Sequence, residues 1–122
     1  MCDKFSKKSR HILQQLFDVI EQRRTDLPPN SYTTSLFRGG IEIIAAKLSE
    51  ETAELIESAN ASFQSGNGET AKNQMIHEAA DLMYHFLILL VSRGVTLSHV
   101  EQELVRRFGI SGLTEKATRD RR

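Results

Sequence analysis

The chain reads as all-α, a helical bundle of four to five helices completed by oligomerisation. Three observations carry this. Apolar residues recur at helical spacing from Ile12 to Phe108. No stretch alternates apolar and polar residues over the length of a strand, and no internal repeat is present. The breaks between periodic segments fall at turn-forming residues: Pro28-Pro29, Gly39-Gly40, SGNG at Ser65 to Gly68, and Gly94.

The first segment sets Ile12, Leu13, Leu16, Phe17 and Ile20 on one helical face and fades at Thr25 to Asn30, where the two prolines stop it. A short helical piece is expected from Ser31 to Arg38. After the glycine pair a longer helix should run from Ile41 to about Phe63. Its expected core stripe is Ile41, Ile44, Ala45, Leu48, Thr52, Leu55, Ile56, Ala59 and Phe63, with Lys47, Glu50, Glu51 and Glu54 near the edge. The next helix, about Thr70 to Ser92, is the most apolar. Leu82, Met83 and the run Phe86 to Val91 cover nearly its whole circumference, and a helix apolar all round must be buried all round. One small protomer cannot do that, so a homodimer or higher homo-oligomer is expected.

Gly94 should end that helix as a left-handed cap, with Thr96 or Ser98 opening the next; Ser98 and Glu101 have capping-box spacing. The last helix runs to Phe108, its buried side formed by Leu97, Val100, Leu104, Val105 and Phe108, and Gly109 closes it. Residues 1–109 thus form one all-α domain. Residues 110–122 are expected to be a mobile tail whose basic end, Arg119, Arg121 and Arg122, is a solvated terminus.

The 122 residues suit one domain, and 16 basic against 16 acidic residues give no net charge, so no nucleic-acid partner is expected. Cys2 stands alone, which rules out an intrachain disulfide, and the first residues lead into an amphipathic stretch, not an apolar signal core. A cytoplasmic location is expected. The longest uninterrupted apolar run, Phe86 to Val91, is far below the roughly 20 residues a bilayer requires, so no membrane partner is expected either.

Four carboxylates carry the chemistry. Glu51 and Glu54 in KLSEETAEL, and Glu78 and Asp81 in HEAADLMYH, each stand at i and i+3 on one helix face. The SGNG turn folds the two helices into a hairpin, and counting from the turn puts Glu54 and Asp81 level, about 16 Å along at ~1.5 Å per residue. A single acidic pair is most often a solvated face. Glu78 and Asp81, however, sit among Ile76, Ala79, Ala80, Leu82 and Met83, where carboxylates need a cation or several donors. Oxygen ligands suit Mg2+, with Mn2+ a possible substitute; one Cys and no two His at zinc-like spacing make zinc a poor match.

SYTTSLFRGG, KLSEETAEL and EAADLMYHFLILLVSRGVTL, with the spacing among them, resemble phosphoribosyl-ATP pyrophosphohydrolase over most of the chain. That family belongs to the all-α MazG-like pyrophosphohydrolases, whose shared pattern is ExxE followed by ExxD. Ser31-Tyr32-Thr33, Lys47, Tyr84-His85 and Arg93-Gly94 narrow the likeness to the histidine-pathway branch. The resemblance implies Mg2+-dependent hydrolysis of 1-(5-phosphoribosyl)-ATP to 1-(5-phosphoribosyl)-AMP and pyrophosphate. It implies metal ligation by Glu51, Glu54, Glu78 and Asp81, Glu50 as the group that orients or deprotonates water, and substrate contacts from Lys47, Ser31, Tyr32, Thr33 and Arg93. Lys47 also has the spacing of a salt-bridge partner for Glu51, His85 reads as a hydrogen-bonded core histidine, and Tyr84 as packing. The family tends to carry a Lys two residues after SYT and basic residues before the long helix; here those positions hold Ser35, and Glu42 with Ile43. Two alternatives remain at this point: a house-cleaning (d)NTP pyrophosphohydrolase of the same fold, and a non-catalytic helical dimerisation module.

Overall fold

The computed structural model describes residues 11–64, 66 and 68–109, so the expected tail at 110–122 lies outside the described residues. Among those residues the chain forms five helices and no strand: α1 (Ile12–Asp26), α2 (Tyr32–Gly39), α3 (Ile41–Gln64), α4 (Glu69–Ser92) and α5 (Leu97–Phe108). The ends follow from local chemistry. Leu27 takes a left-handed conformation and its N–H donates to Arg23 O at 2.7 Å, after which Pro28 and Pro29 offer no donor to continue α1. Ser31 caps α2 by accepting from the Thr34 N–H at 3.3 Å.

α3 and α4 form an antiparallel hairpin that is the spine of the molecule, and α1 and α2 pack across it. The core gathers Phe17 and Ile20 from α1, Leu36 from α2, Ile44 from α3, Leu87, Ile88 and Val91 from α4, and Leu97 from α5. Arg24 of α1 donates from Nη1 to the Val91 carbonyl at 2.7 Å, tying the end of α1 to the last turn of α4. α4 closes in a Schellman motif: Gly94 at φ 73° donates to Val91 O, and Val95 donates to Leu90 O at 3.0 Å. Thr96, not Ser98, caps α5, and the reciprocal partner is His99, whose Nδ1 accepts from the Thr96 N–H at 3.1 Å. Thr96 holds the extended backbone a cap needs, whereas Ser98 already lies inside the helix.

The faces differ from expectation more than the boundaries do. On α3 the buried residues are Ile44, Glu51, Ser58 and Ser62, while Ile41, Ala45, Thr52, Ile56 and Phe63 of the expected stripe are exposed, Ile56 at 57% and Phe63 at 80%. The face turned to α4 is the one carrying Glu51 and small serines, because short side chains let the two helices close. The apolar stripe is left on the other side. α5 buries only Leu97; Leu104, Val105 and Phe108 remain substantially exposed. α4 buries His85, Leu87, Ile88 and Val91, and the described residues leave Met83 and Phe86 partly open. At 24 residues, α4 has the length and composition of a spanning helix, which the six-residue run alone did not reveal; here it packs against α3 and carries Glu78 and Asp81.

Gly94 and Gly68 make a paired test of these ends. Both would place a new Cβ in open space, but only Gly94 has positive φ. Gly94→Ala should destabilise by about 1 kcal/mol through backbone strain. Gly68→Ser, at the extended N-cap of α4 where no side chain caps, should stabilise by roughly 0.5 kcal/mol. Chemical denaturation of the two variants reads both signs.

Candidate metal centre

The hairpin register sets Glu51 and Glu54 of α3 against Glu78 of α4, and one carboxylate oxygen from each lies within 4.8 Å of the others. Glu51 is buried at 5% exposure, and the other two are half-buried. Glu51 Oε1 and Glu78 Oε1 have no hydrogen-bond partner, although both are buried. A buried carboxylate oxygen left without a donor is costly, and two of them aimed into one cluster of acids is a strong requirement for positive charge.

The surroundings supply that charge only in part. Lys47, one turn before Glu51, places Nζ 3.3 Å from Glu50 Oε1 and 3.9 Å from Glu51 Oε2. Its hydrogen bond to Glu50 raises the Lys47 ammonium above its ordinary pKa and keeps it charged. Gln74 donates to Glu78 Oε2 at 2.7 Å, satisfying one of that residue's two oxygens. Glu54 shows the effect of crowding. Partial burial first, then the charges of Glu51, Glu78 and Glu50 and a hydrogen bond with Glu78, hold its carboxyl above the usual range.

Of the four expected ligands the structure brings three together. The Asp81 carboxylate lies instead 3.4 Å from His77 Nε2, one turn back on α4, because an i, i+4 partner on the helix surface is nearer than the opposing helix. Glu50 is exposed and engaged with Lys47. Ser31 is occupied in capping α2. Thr33 is fully buried and its hydroxyl is bonded to that of Tyr84, which makes it a fixture of the fold and not an open contact. Tyr32 is half-exposed beside the cluster, and its hydroxyl meets His85 Nε2 at 2.8 Å. Arg93 lies exposed at the C-cap of α4, about 18 Å along the helix from Asp81 at ~1.5 Å per residue, well away from the acids. Gln74, and the pairing of surface residue His77 with Asp81, escaped the sequence reading, although each stands four residues before an acid it contacts, a spacing that marks such partners.

An all-oxygen set of three converging carboxylates with unpaired buried oxygens fits a hard divalent cation and not a thiolate- or imidazole-seeking one. Comparison with known proteins bears on what such a centre serves. Residues 13–108 match the family described as Phosphoribosyl-ATP pyrophosphohydrolase. Curated relatives named phosphoribosyl-ATP pyrophosphatase include those of Rhodopirellula baltica, 43% identical over 107 residues (88% of this chain, 85% of the relative), and Trichlorobacter lovleyi, 41% identical over 111 residues (91% and 95%). That of Methylococcus capsulatus is 40% identical over 108 residues (88% and 95%).

The raised Glu54 carboxyl has a consequence for stability. A group whose folded pKa lies above its unfolded value stabilises the fold at low pH, and that contribution is lost as pH rises through the folded pKa. Metal-free protein should therefore carry a like-charge penalty at neutral pH that vanishes on acidification toward 4.5, the ordinary Glu54 value. Glu54→Gln should melt as high as the parent or higher at pH 7 in EDTA, and this advantage should disappear near pH 4. Thermal melts across that range measure it; a variant less stable at pH 7 would mean the acids hold the fold through ion pairs.

Proposed function

The chain belongs to the phosphoribosyl-ATP pyrophosphohydrolase family, and from that premise we propose that it hydrolyses 1-(5-phosphoribosyl)-ATP to 1-(5-phosphoribosyl)-AMP and pyrophosphate in histidine biosynthesis, with Mg2+ as cofactor. The observation that carries the metal is the pair of buried, unpartnered oxygens on Glu51 and Glu78 within a three-carboxylate cluster. A polyphosphate would be repelled from such a cluster without a cation between them. Glu51, Glu54 and Glu78 would hold the ion, and Asp81 could join them, directly or through water, by turning from His77. Bound there, Mg2+ supplies Lewis acidity at phosphorus and neutralises the leaving pyrophosphate.

The chain's own residues do the rest. Lys47, held between Glu50 and Glu51, presents an ammonium to phosphate oxygens at the rim of the cluster. Glu50, exposed and adjacent, is assigned to orient the attacking water and accept its proton on a carboxylate oxygen. Ser31 and Thr33 support the site from within the fold by capping and buttressing α2, which carries Tyr32 to the cluster. Contacts from Arg93 would have to be made by a part of the substrate remote from its polyphosphate. The family's printed activity favours this substrate over a general (d)NTP, and orphaned buried acids speak against a purely structural module. The reading places the protein in the cytoplasm with no nucleic-acid or membrane partner.

The assembly is part of the proposal. Ile41, Ala45, Leu48, Thr52, Ile56, Ala59 and Phe63 recur along one side of α3 as a seam that the described residues leave largely open, and Leu89 of α4 borders its trough. A second copy of this chain, laid along it, would bury the apolar sides of α3 and α4 that one protomer leaves open.

Two measurements test these statements. Purified protein with phosphoribosyl-ATP and Mg2+ should release pyrophosphate and lose that activity in EDTA; Glu51→Gln should reduce it by orders of magnitude and abolish most of the rise in melting temperature caused by Mg2+. Orthophosphate as first product, or activity undiminished without metal, contradicts the reading. By light scattering the protein should be at least a dimer at micromolar concentration, and Ile56→Asp should shift it toward monomer.

A further inference from the structure

Two side-chain pairs latch the first turn of α2 onto α4. Tyr32 bonds to His85, and Thr33 to Tyr84, so that successive residues on one helix meet successive residues on the other. His85 is buried at 5% exposure and its ring stands edge-on to both tyrosines, at 88° to Tyr32 and 78° to Tyr84. The ring cannot turn freely, so the identity of its two nitrogens is set by what each faces.

Nδ1 lies 2.9 Å from the backbone carbonyl of Asp81 and 4.0 Å from Glu51 Oε2. A carbonyl oxygen only accepts, so the nitrogen against it carries the hydrogen, and at 2.9 Å the carbonyl holds it in preference to the more distant carboxylate. A neutral imidazole protonated at Nδ1 has a lone pair at Nε2. The hydrogen in the 2.8 Å contact there must then come from the Tyr32 hydroxyl. Tyr32 is consequently left with only lone pairs to offer to anything beside the cluster. Partial burial, opposed by Lys47 and reinforced by Tyr84, Glu51 and Glu50, holds the Tyr32 phenol above its ordinary pKa, which keeps that hydrogen in place.

From this geometry we infer that His85 is a positioning residue: its Nε2 accepts the Tyr32 hydroxyl hydrogen bond and so fixes the oxygen of half-exposed Tyr32 as an acceptor for a hydrogen-bond donor on the substrate, a ribose hydroxyl or a base amine. Phosphate oxygens only accept at neutral pH, so Tyr32 refuses the polyphosphate, which is left to Lys47 and the metal. The division orients the substrate, with its polyphosphate at the acids and its donor-bearing nucleoside at Tyr32. The inference rests on the proposed hydrolysis of phosphoribosyl-ATP and adds to it the polarity of one contact.

Nitrogen-15 NMR of the His85 ring, which needs no substrate, tests the first half. The parent should show a neutral ring protonated at Nδ1, and Tyr32→Phe should move the Nε2 signal toward that of a free lone pair while leaving Nδ1 nearly unchanged. A ring protonated at Nε2, or doubly protonated at neutral pH, overturns the inference. Kinetics test the second half. Tyr32→Phe should raise KM about tenfold, the scale of one lost hydrogen bond, with kcat changed by no more than a small factor. His85→Gln, whose amide can still accept from Tyr32, should retain more affinity than His85→Leu. In the Tyr32→Phe background neither His85 substitution should raise KM further, because its effect passes through Tyr32. Additive effects, or an unchanged KM in Tyr32→Phe, overturn it. Failure of the parent to release pyrophosphate would refute the proposed function and leave the NMR result standing on its own.

Discussion

Electrostatic repulsion among Glu51, Glu54 and Glu78 is the constraint that the surrounding structure answers. The hairpin closes by packing the serine- and glutamate-bearing face of α3 on α4, and closing it forces three carboxylates within 4.8 Å. Around them stand partial remedies: Lys47 shared between two acids, and the Gln74 amide on Glu78. None satisfies Glu51 Oε1 or Glu78 Oε1. A fold selected for stability alone would place apolar residues there. The divalent cation of the proposed function would discharge that repulsion on entering, and its binding and the stability of the fold would then draw on the same interaction.

The helix boundaries were legible because each is written in residues with a local effect. Pro28-Pro29, Gly39-Gly40, the SGNG turn and Gly94 all stop helices where they stand, and the ends of α3 and α4 fall within a residue or so of the spacing argument. The buried faces were less legible. Ile56 and Phe63 belong to a well-formed apolar stripe, yet the protomer turns Ser58 and Ser62 inward instead. Periodicity identifies a face that avoids water but not the surface that will cover it. The same ambiguity misled the reading of α5, whose apolar side finds only Leu97 a place in this protomer's core.

At the site, spacing along one helix was informative and geometry across helices less so. Glu51, Glu54 and Glu78 converge across the hairpin, whereas the counting from the turn had set Glu54 level with Asp81. Asp81 departs because His77 competes for it along the same helix, a contest decided by side-chain rotamers that no residue count contains. Ser31 and Thr33 came to notice through their motif, and the structure gives them work inside the fold: one caps a helix, the other bonds Tyr84. His85 was rightly read as a buried, hydrogen-bonded histidine, but its link to Tyr32 spans 53 positions and could not be seen from either end alone.

The Arg24 to Val91 bond closes a loop of 67 residues, whereas the α3–α4 contacts need only a short turn. Loop-closure entropy and contact order therefore order the events of folding: the hairpin is the cheap, early nucleus, and α1 docks late against its far end. The early step is also the one that herds the acids together. Counter-ions that screen or bridge those charges act on the nucleus itself, so dissolved salts and magnesium should alter how fast this chain folds as well as how firmly it stays folded.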